Sequence, residues 1–144
     1  MRDLLREGAR WLAQAETDLG AARLLSERFP ALACFHAQQS AEKALKAILH
    51  ASGERPVLGH SLGDLGSRVA KCSPHYQALG SEVTKLDRYY IPTRYPDGLP
   101  EWADAASTFD TEDARGSIAT ARKAIAHARE YLEERSRQEK APPG

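Results

Sequence analysis

Five of the ten aromatic residues of this 144-residue chain, Tyr89, Tyr90, Tyr95, Trp102 and Phe109, fall between residues 89 and 109, interleaved with Arg88, Arg94 and Asp97. Ring faces stack on nucleobases and a guanidinium fork grips phosphate or carboxylate, so this segment has the composition of a nucleotide or RNA surface. The alternative use of the same rings is to anchor a long loop over a core, and one residue can serve both ends. Arg94 lies between Pro92 and Pro96 and beside Tyr95, on backbone whose freedom is already restricted, so its side chain is presented with little entropy left to lose. Its structural rival is an ion pair with Asp97, Asp87 or Glu42 that merely pins the loop.

Other chemistries lack their templates. Helical bundles hold carboxylate-bridged iron through Glu-x-x-His pairs, but the residues three before His36, His50, His60, His75 and His127 are Ala33, Ala47, Val57, Cys72 and Ala124. With no HExxH and no Cys/His cluster either, no metal is expected. There is neither a Walker motif nor GxGxxG, so no dedicated cofactor is expected and any nucleotide must be held by side chains. Cys34 and Cys72 are expected as free thiols, because a chain of this size buries enough surface without a disulfide.

The elements that must position these groups are helices. Leu5, Gly8, Leu12, Ala15, Leu19 and Ala22, continued by Leu25 and Phe29, recur at three and four and predict a helix over 3–29. Pro30 belongs at a helix start, so a second helix follows at once over 31–51. Its small stripe, Cys34, Ala37, Ala41 and Ala44 with Leu45 and Ile48, suits close helix packing, and Gln39, Lys43 and Lys46 lie on its other side. Leu62, Leu65 and Val69 mark a third helix begun near Ser61 and Asp64, and Leu79, Val83 and Leu86 a fourth over 75–87. Pro92, Pro96, Gly98 and Pro100 then forbid regular structure for about 20 residues. A last helix is capped by Asp110 or Thr111 and runs over 111–135, with Ala114, Ile118, Ala121, Ile125, Ala128 and Leu132 inward. Residues 136–144, with charge and proline but no apolar anchor, read as a flexible tail.

The fold class is therefore all-α: one up-and-down bundle of about five helices over 1–135, with a long ordered loop before the last helix. No runs rich in Val, Ile and Thr are available for strands. Twenty basic and twenty acidic residues cancel, so contact with nucleic acid must come from a local patch. No apolar run approaches the roughly 20 residues of a membrane span, and the N-terminus is charged from residue 2, so a cytoplasmic protein without a cleaved leader is expected.

Three motifs in order, FHAQQSAEKALKAIL (35–49), HSLGDL (60–65) and RYYIPTRYPDG (88–98), resemble the HEPN family, named for higher eukaryotes and prokaryotes nucleotide-binding. The resemblance spans about residues 9–133 and begins at AETDLGAARLL. It implies a dimeric helical bundle that binds a nucleotide or RNA and works with a minimal nucleotidyltransferase, in modules of the toxin–antitoxin kind. It also assigns site residues: Gln39, Glu42, Lys43 and Lys46 on the second helix, His60 at the third, and Tyr90, Arg94, Tyr95 and Asp97 in the Y-x-x-x-RYPD stretch. Many similar proteins are metal-independent ribonucleases with an R-x4-6-H motif, and that alternative makes His60 the catalytic candidate. Arg55–His60, Arg68–His75 and Arg122–His127 have the spacing, but Arg55 precedes Pro56 in a loop and the last pair lies mid-helix about 140° apart. Binding without catalysis is the favoured reading, and a purely structural dimerisation module is the third.

Overall fold

The computed structural model describes residues 2–142, and among them every regular element is helical. Five helices of eight residues or more, α1 (Arg2–Leu25), α2 (Pro30–Ser52), α3 (Leu62–Cys72), α4 (Gln77–Thr84) and α6 (Thr111–Lys140), are joined by one short helix, α5 (Ala105–Thr108). The expected all-α bundle is what forms.

α1 and α2 make a tight antiparallel hairpin, and α2 is the central element. Its alanines 33, 37, 41, 44 and 47 are fully buried, so the small residues of α2 are consumed within the chain, between α1 and α6. The closest approach is at Gly8, where an added Cβ would lie 2.9 Å from the Ala47 carbonyl oxygen and 2.9 Å from Leu132. Only glycine lets three helices converge there; overpacking of that kind costs about 1–3 kcal/mol. Ser40 on α2 donates to the Ala15 carbonyl at 2.7 Å, satisfying a buried hydroxyl across the same seam. α6 runs antiparallel to α1, because Leu132 meets Gly8, Arg129 meets Glu16, and Arg115 meets Glu27.

Helix ends differ in places from the expected ones. α1 stops at Leu25, and Phe29 is the residue preceding α2, half exposed, because Pro30 fixes the new helix start. Gly53 closes α2 with φ 95°, a left-handed cap that a side chain would strain. The fourth helix is split into a 3₁₀ turn at Pro74–Tyr76, α4, and a second 3₁₀ stretch at Lys85–Tyr89. The proline-rich segment is not an open loop either: it folds as turns, a 3₁₀ turn at Pro96–Gly98 and α5, whose first turn is capped by Asp104.

The last helix continues to Lys140, beyond the expected end at 135. Glu, Arg, Gln and Lys after Leu132 are strong helix formers, the Arg135 guanidinium covers the Tyr131 ring at 5.7 Å, and Pro142 holds Ala141 extended. Part of the expected tail is thus helical, while residues 143 and 144 lie outside the described residues. At its start, Asp110 and Asp113 form a reciprocal capping box, each carboxylate accepting the other's backbone N–H at 3.0 Å. Cys34 is buried and Cys72 half-buried, and both are unpaired. Burial pushes the Cys34 thiol up to about 11, so it stays protonated at neutral pH. No helix among the described residues is long and apolar enough to cross a membrane.

Candidate functional site

On α2, Phe35, Gln39, Glu42 and Lys46 follow one another at intervals of four and three, which places them on one side of the helix. A stripe of this polarity usually faces solvent. Here Glu42 is only 3% exposed and Lys46 only 6%, because α1 and the segments around residues 60 and 90 close over them. Two charges taken out of water must satisfy one another. The Lys46 ammonium lies 3.4 Å from one Glu42 oxygen, and the other oxygen faces His60 Nδ1 at 3.2 Å. Lys46 also stands 5.6 Å above the Trp11 ring of α1, a cation–π contact that contributes to its lodging.

A carboxylate can only accept, so the proton on His60 belongs at Nδ1 and the outer nitrogen, Nε2, carries the lone pair when the ring is neutral. The imidazole stacks on Tyr90, centroids 5.6 Å apart and planes 16° apart, while much of the side chain is open to solvent. Its position is set by the start of α3. Ser61 caps that helix by accepting the Asp64 N–H at 3.2 Å, and the Asp87 carboxylate accepts the Leu62 and Gly63 N–H groups at 2.7 and 3.2 Å. Asp87 thereby ties the chain beside His60 to the segment that ends in Tyr90.

Arg94 makes no ion pair with Asp97, Asp87 or Glu42 among the described residues. Its Nε–H donates to the Tyr90 carbonyl at 2.9 Å, and its guanidinium lies 4.5 Å from the Phe35 ring, 4.6 Å from Tyr90 and 5.0 Å from Tyr95. Three rings hold the plane of the fork, and neither terminal nitrogen bonds a protein acceptor among the described residues. A stiff, charged, undersaturated donor of this kind is a receptor for phosphate or carboxylate.

Of the residues marked in the sequence, Glu42, Lys46, His60, Tyr90, Arg94 and Tyr95 therefore gather on one face. Lys43 is tied instead to Asp18 of α1 at 2.5 Å and braces the hairpin, while Gln39 donates to its buried neighbour Gln38 at 2.7 Å within α2. Asp97 is exposed within a 3₁₀ turn and makes no hydrogen bond or ion pair with the cluster among the described residues. Two of the arginine–histidine pairs of matching spacing are not used as pairs, since Arg68 is held by Glu54, Asp64 and the Leu58 carbonyl, while Arg122 opens on the α1 side of α6 and His127 bonds Ser73; Arg55, of the third, is exposed and lines a cleft with Glu7, Trp11 and His50. Trp11 and Phe35 belong to the site without a sequence signal of their own, and Asp87, weighed in the sequence only as an ion-pair partner for Arg94, serves it instead by capping α3. Trp11 and Phe35 follow the same helical spacing as core residues, and Asp87 acts on a helix 25 residues upstream, which no local pattern shows.

The HEPN domain family matches residues 9–134 of this chain. The chain belongs to the HEPN family. Among solved structures, TT1696 from Thermus thermophilus is 36% identical over 90% of this chain and 96% of its own, with a TM-score of 0.67. ST0689, an archaeal HEPN homologue, is 31% identical over 88% of this chain and 98% of its own, with a TM-score of 0.71. No curated protein matches. Within this HEPN domain the segment RYYIPTRYPDG is the one that packs Arg94 against Phe35 of α2.

Proposed function

We propose that this HEPN protein binds a nucleotide or an RNA end on the face formed by His60, Tyr90, Arg94 and Tyr95. The observation that carries this reading is Arg94, whose guanidinium is packed among three rings while its terminal nitrogens have no protein acceptor among the described residues. Phosphate would take the fork, and the exposed Tyr95 ring offers a surface for a base. Binding rather than catalysis is the main activity, exerted by a homodimer together with a minimal nucleotidyltransferase in a module of the toxin–antitoxin kind. Leu32, Ile91 and Tyr95 are exposed and lie within a turn of Phe35 or Arg94 in the chain, and they supply apolar surface for a second copy. A thermal-shift screen over nucleotides and short RNAs tests the reading: a ligand at 100 times its dissociation constant stabilises by about 2.7 kcal/mol. Absence of any shift leaves a structural dimerisation module.

One observation favours a second reading, a metal-independent ribonuclease. Glu42 orients His60 by its Nδ1 and leaves Nε2 facing outward, the arrangement of a general base beside a phosphate-binding arginine. Cleavage of RNA that disappears in His60→Ala establishes it; undiminished cleavage, or none in either protein, removes it.

A further inference from the structure

Arg115, Arg122 and Arg129 are spaced by seven, which on a helix is two turns less about 20°, so they stand in a row along one face of α6. Ala119 and Ala126 lie between them at the same face, leaving the arginines as the only long side chains of the row. The row extends for about 21 Å, the length of roughly six stacked nucleotides. Antiparallel α1 forms the opposite wall and presents Glu16 and Arg23, with Glu27 in the turn beyond its end. Between the two helices lies a cleft of about 400 Å³ lined by Glu16, Leu19, Arg23, Arg122, Ile125 and Arg129.

The charges along this cleft do not cancel. Glu16 is taken by Arg129, and Glu27 lies 3.6 Å from Arg115. Arg23 on one wall and Arg122 on the other are exposed and have no acidic partner among the described residues. In a protein of zero net charge, two uncompensated guanidinium groups, Arg23 and Arg122, facing one cleft between ion pairs that close its ends are a local field that the fold does not consume. The cleft's floor, Leu19 and Ile125, is buried, and no aromatic ring lines it. Protein interfaces have an apolar and aromatic centre, and a base-reading pocket needs a ring, so neither fits. Two free guanidinium forks on opposite walls of a ringless cleft fit the phosphates of a phosphodiester backbone.

We propose that the α1–α6 cleft is a second site, built from residues other than those of the Arg94 face, which tracks the backbone of single-stranded RNA without reading its sequence. It stands independently of the nucleotide reading above. The test is fluorescence anisotropy of the full chain with a labelled oligouridylate of about 20 nucleotides, titrated between about 50 and 200 mM salt. Arg23→Gln/Arg122→Gln is expected to bind about tenfold more weakly and to lower the salt slope by about 1.4, two phosphates at about 0.7 each. Arg122→Lys, which keeps the charge, holds the slope, and the exposed Arg6→Gln, off the cleft, stays within about twofold. Circular dichroism melts confirm that the variants remain folded. Unchanged affinity and slope in the double variant, no binding of oligouridylate by the unaltered protein, or equal displacement by polyglutamate, which marks an acidic protein surface, would each overturn the proposal. Nucleotide-induced thermal shifts, sensitive to Arg94 and not to Arg23 or Arg122, report separately on the other face.

Discussion

At each end of α3 a histidine meets an oxygen and an aromatic ring, yet among the described residues only one of the two rings also carries an arginine. Near the start, His60 rests on Glu42 and stacks on Tyr90, with its second nitrogen toward solvent and Arg94 against the same tyrosine. At the far end, His127 Nε2 lies 2.8 Å from Ser73 Oγ and edge-on to Tyr76 at 5.6 Å, half-buried where α6 meets the turn after α3. Burial lowers the His127 pKa, Glu130 opposing and His75 adding to the effect, so it rests neutral and serves as a brace. A hydrogen-bonded histidine is thus made into a site by an exposed second nitrogen and a nearby unpaired cation, not by the hydrogen bond itself.

The comparison breaks most visibly at Glu42. Glu42→Ala leaves the Lys46 charge buried without its partner, and loss of about 3 kcal/mol is expected in denaturant unfolding, along with ligand binding. Glu42→Gln keeps the shape and separates the two effects. Next in size is Asp87→Ala, which removes the carboxylate from two backbone N–H groups of α3 and costs about 1–2 kcal/mol. It also frees His60 from Tyr90, so binding falls with stability, measured by melting and by titration on the same protein.

Smaller effects belong to the brace. Ser73→Ala should cost about 1 kcal/mol and leave ligand affinity as it was, since the His127 end touches no part of the Arg94 face. The pH dependence carries the same distinction. His127 is depressed in the fold, so the unfolded chain binds the extra proton first: its contribution stands in full above about 6.5 and is lost as pH falls from there through the lowered folded value. His50, likewise lowered by burial, acts in the same direction. Melting temperatures measured between about pH 7 and 5 should therefore fall, and fall less in His127→Gln.

How much of this was legible in the sequence follows from the range of each interaction. The helices of the bundle announced themselves by three-four spacing, and Pro30, Ser61 and Asp110 punctuated them by local backbone rules. Tyr90, Arg94 and His60 were marked by composition and by the HEPN resemblance. What stayed hidden is long-range. Lys46 and Glu42 look like a solvated face until α1 and residue 60 cover them, Trp11 and Phe35 spell core, and Asp87 reaches across 25 residues to cap α3. The end of α6 was misread because tail composition and helix propensity point opposite ways, and propensity prevailed to Lys140.

The central claim is that Arg94 is a preorganised anion receptor rather than a pin for its loop. It is tested most directly by calorimetric titration of Arg94→Lys with whichever nucleotide or short RNA stabilises the unaltered protein. Lysine keeps the charge but loses the planar fork and its stacking between Phe35, Tyr90 and Tyr95. The account predicts binding weaker by about 1–3 kcal/mol with a melting temperature near the original. A lowered melting temperature, with no nucleotide or RNA affinity in either protein, would contradict it and make Arg94 structural.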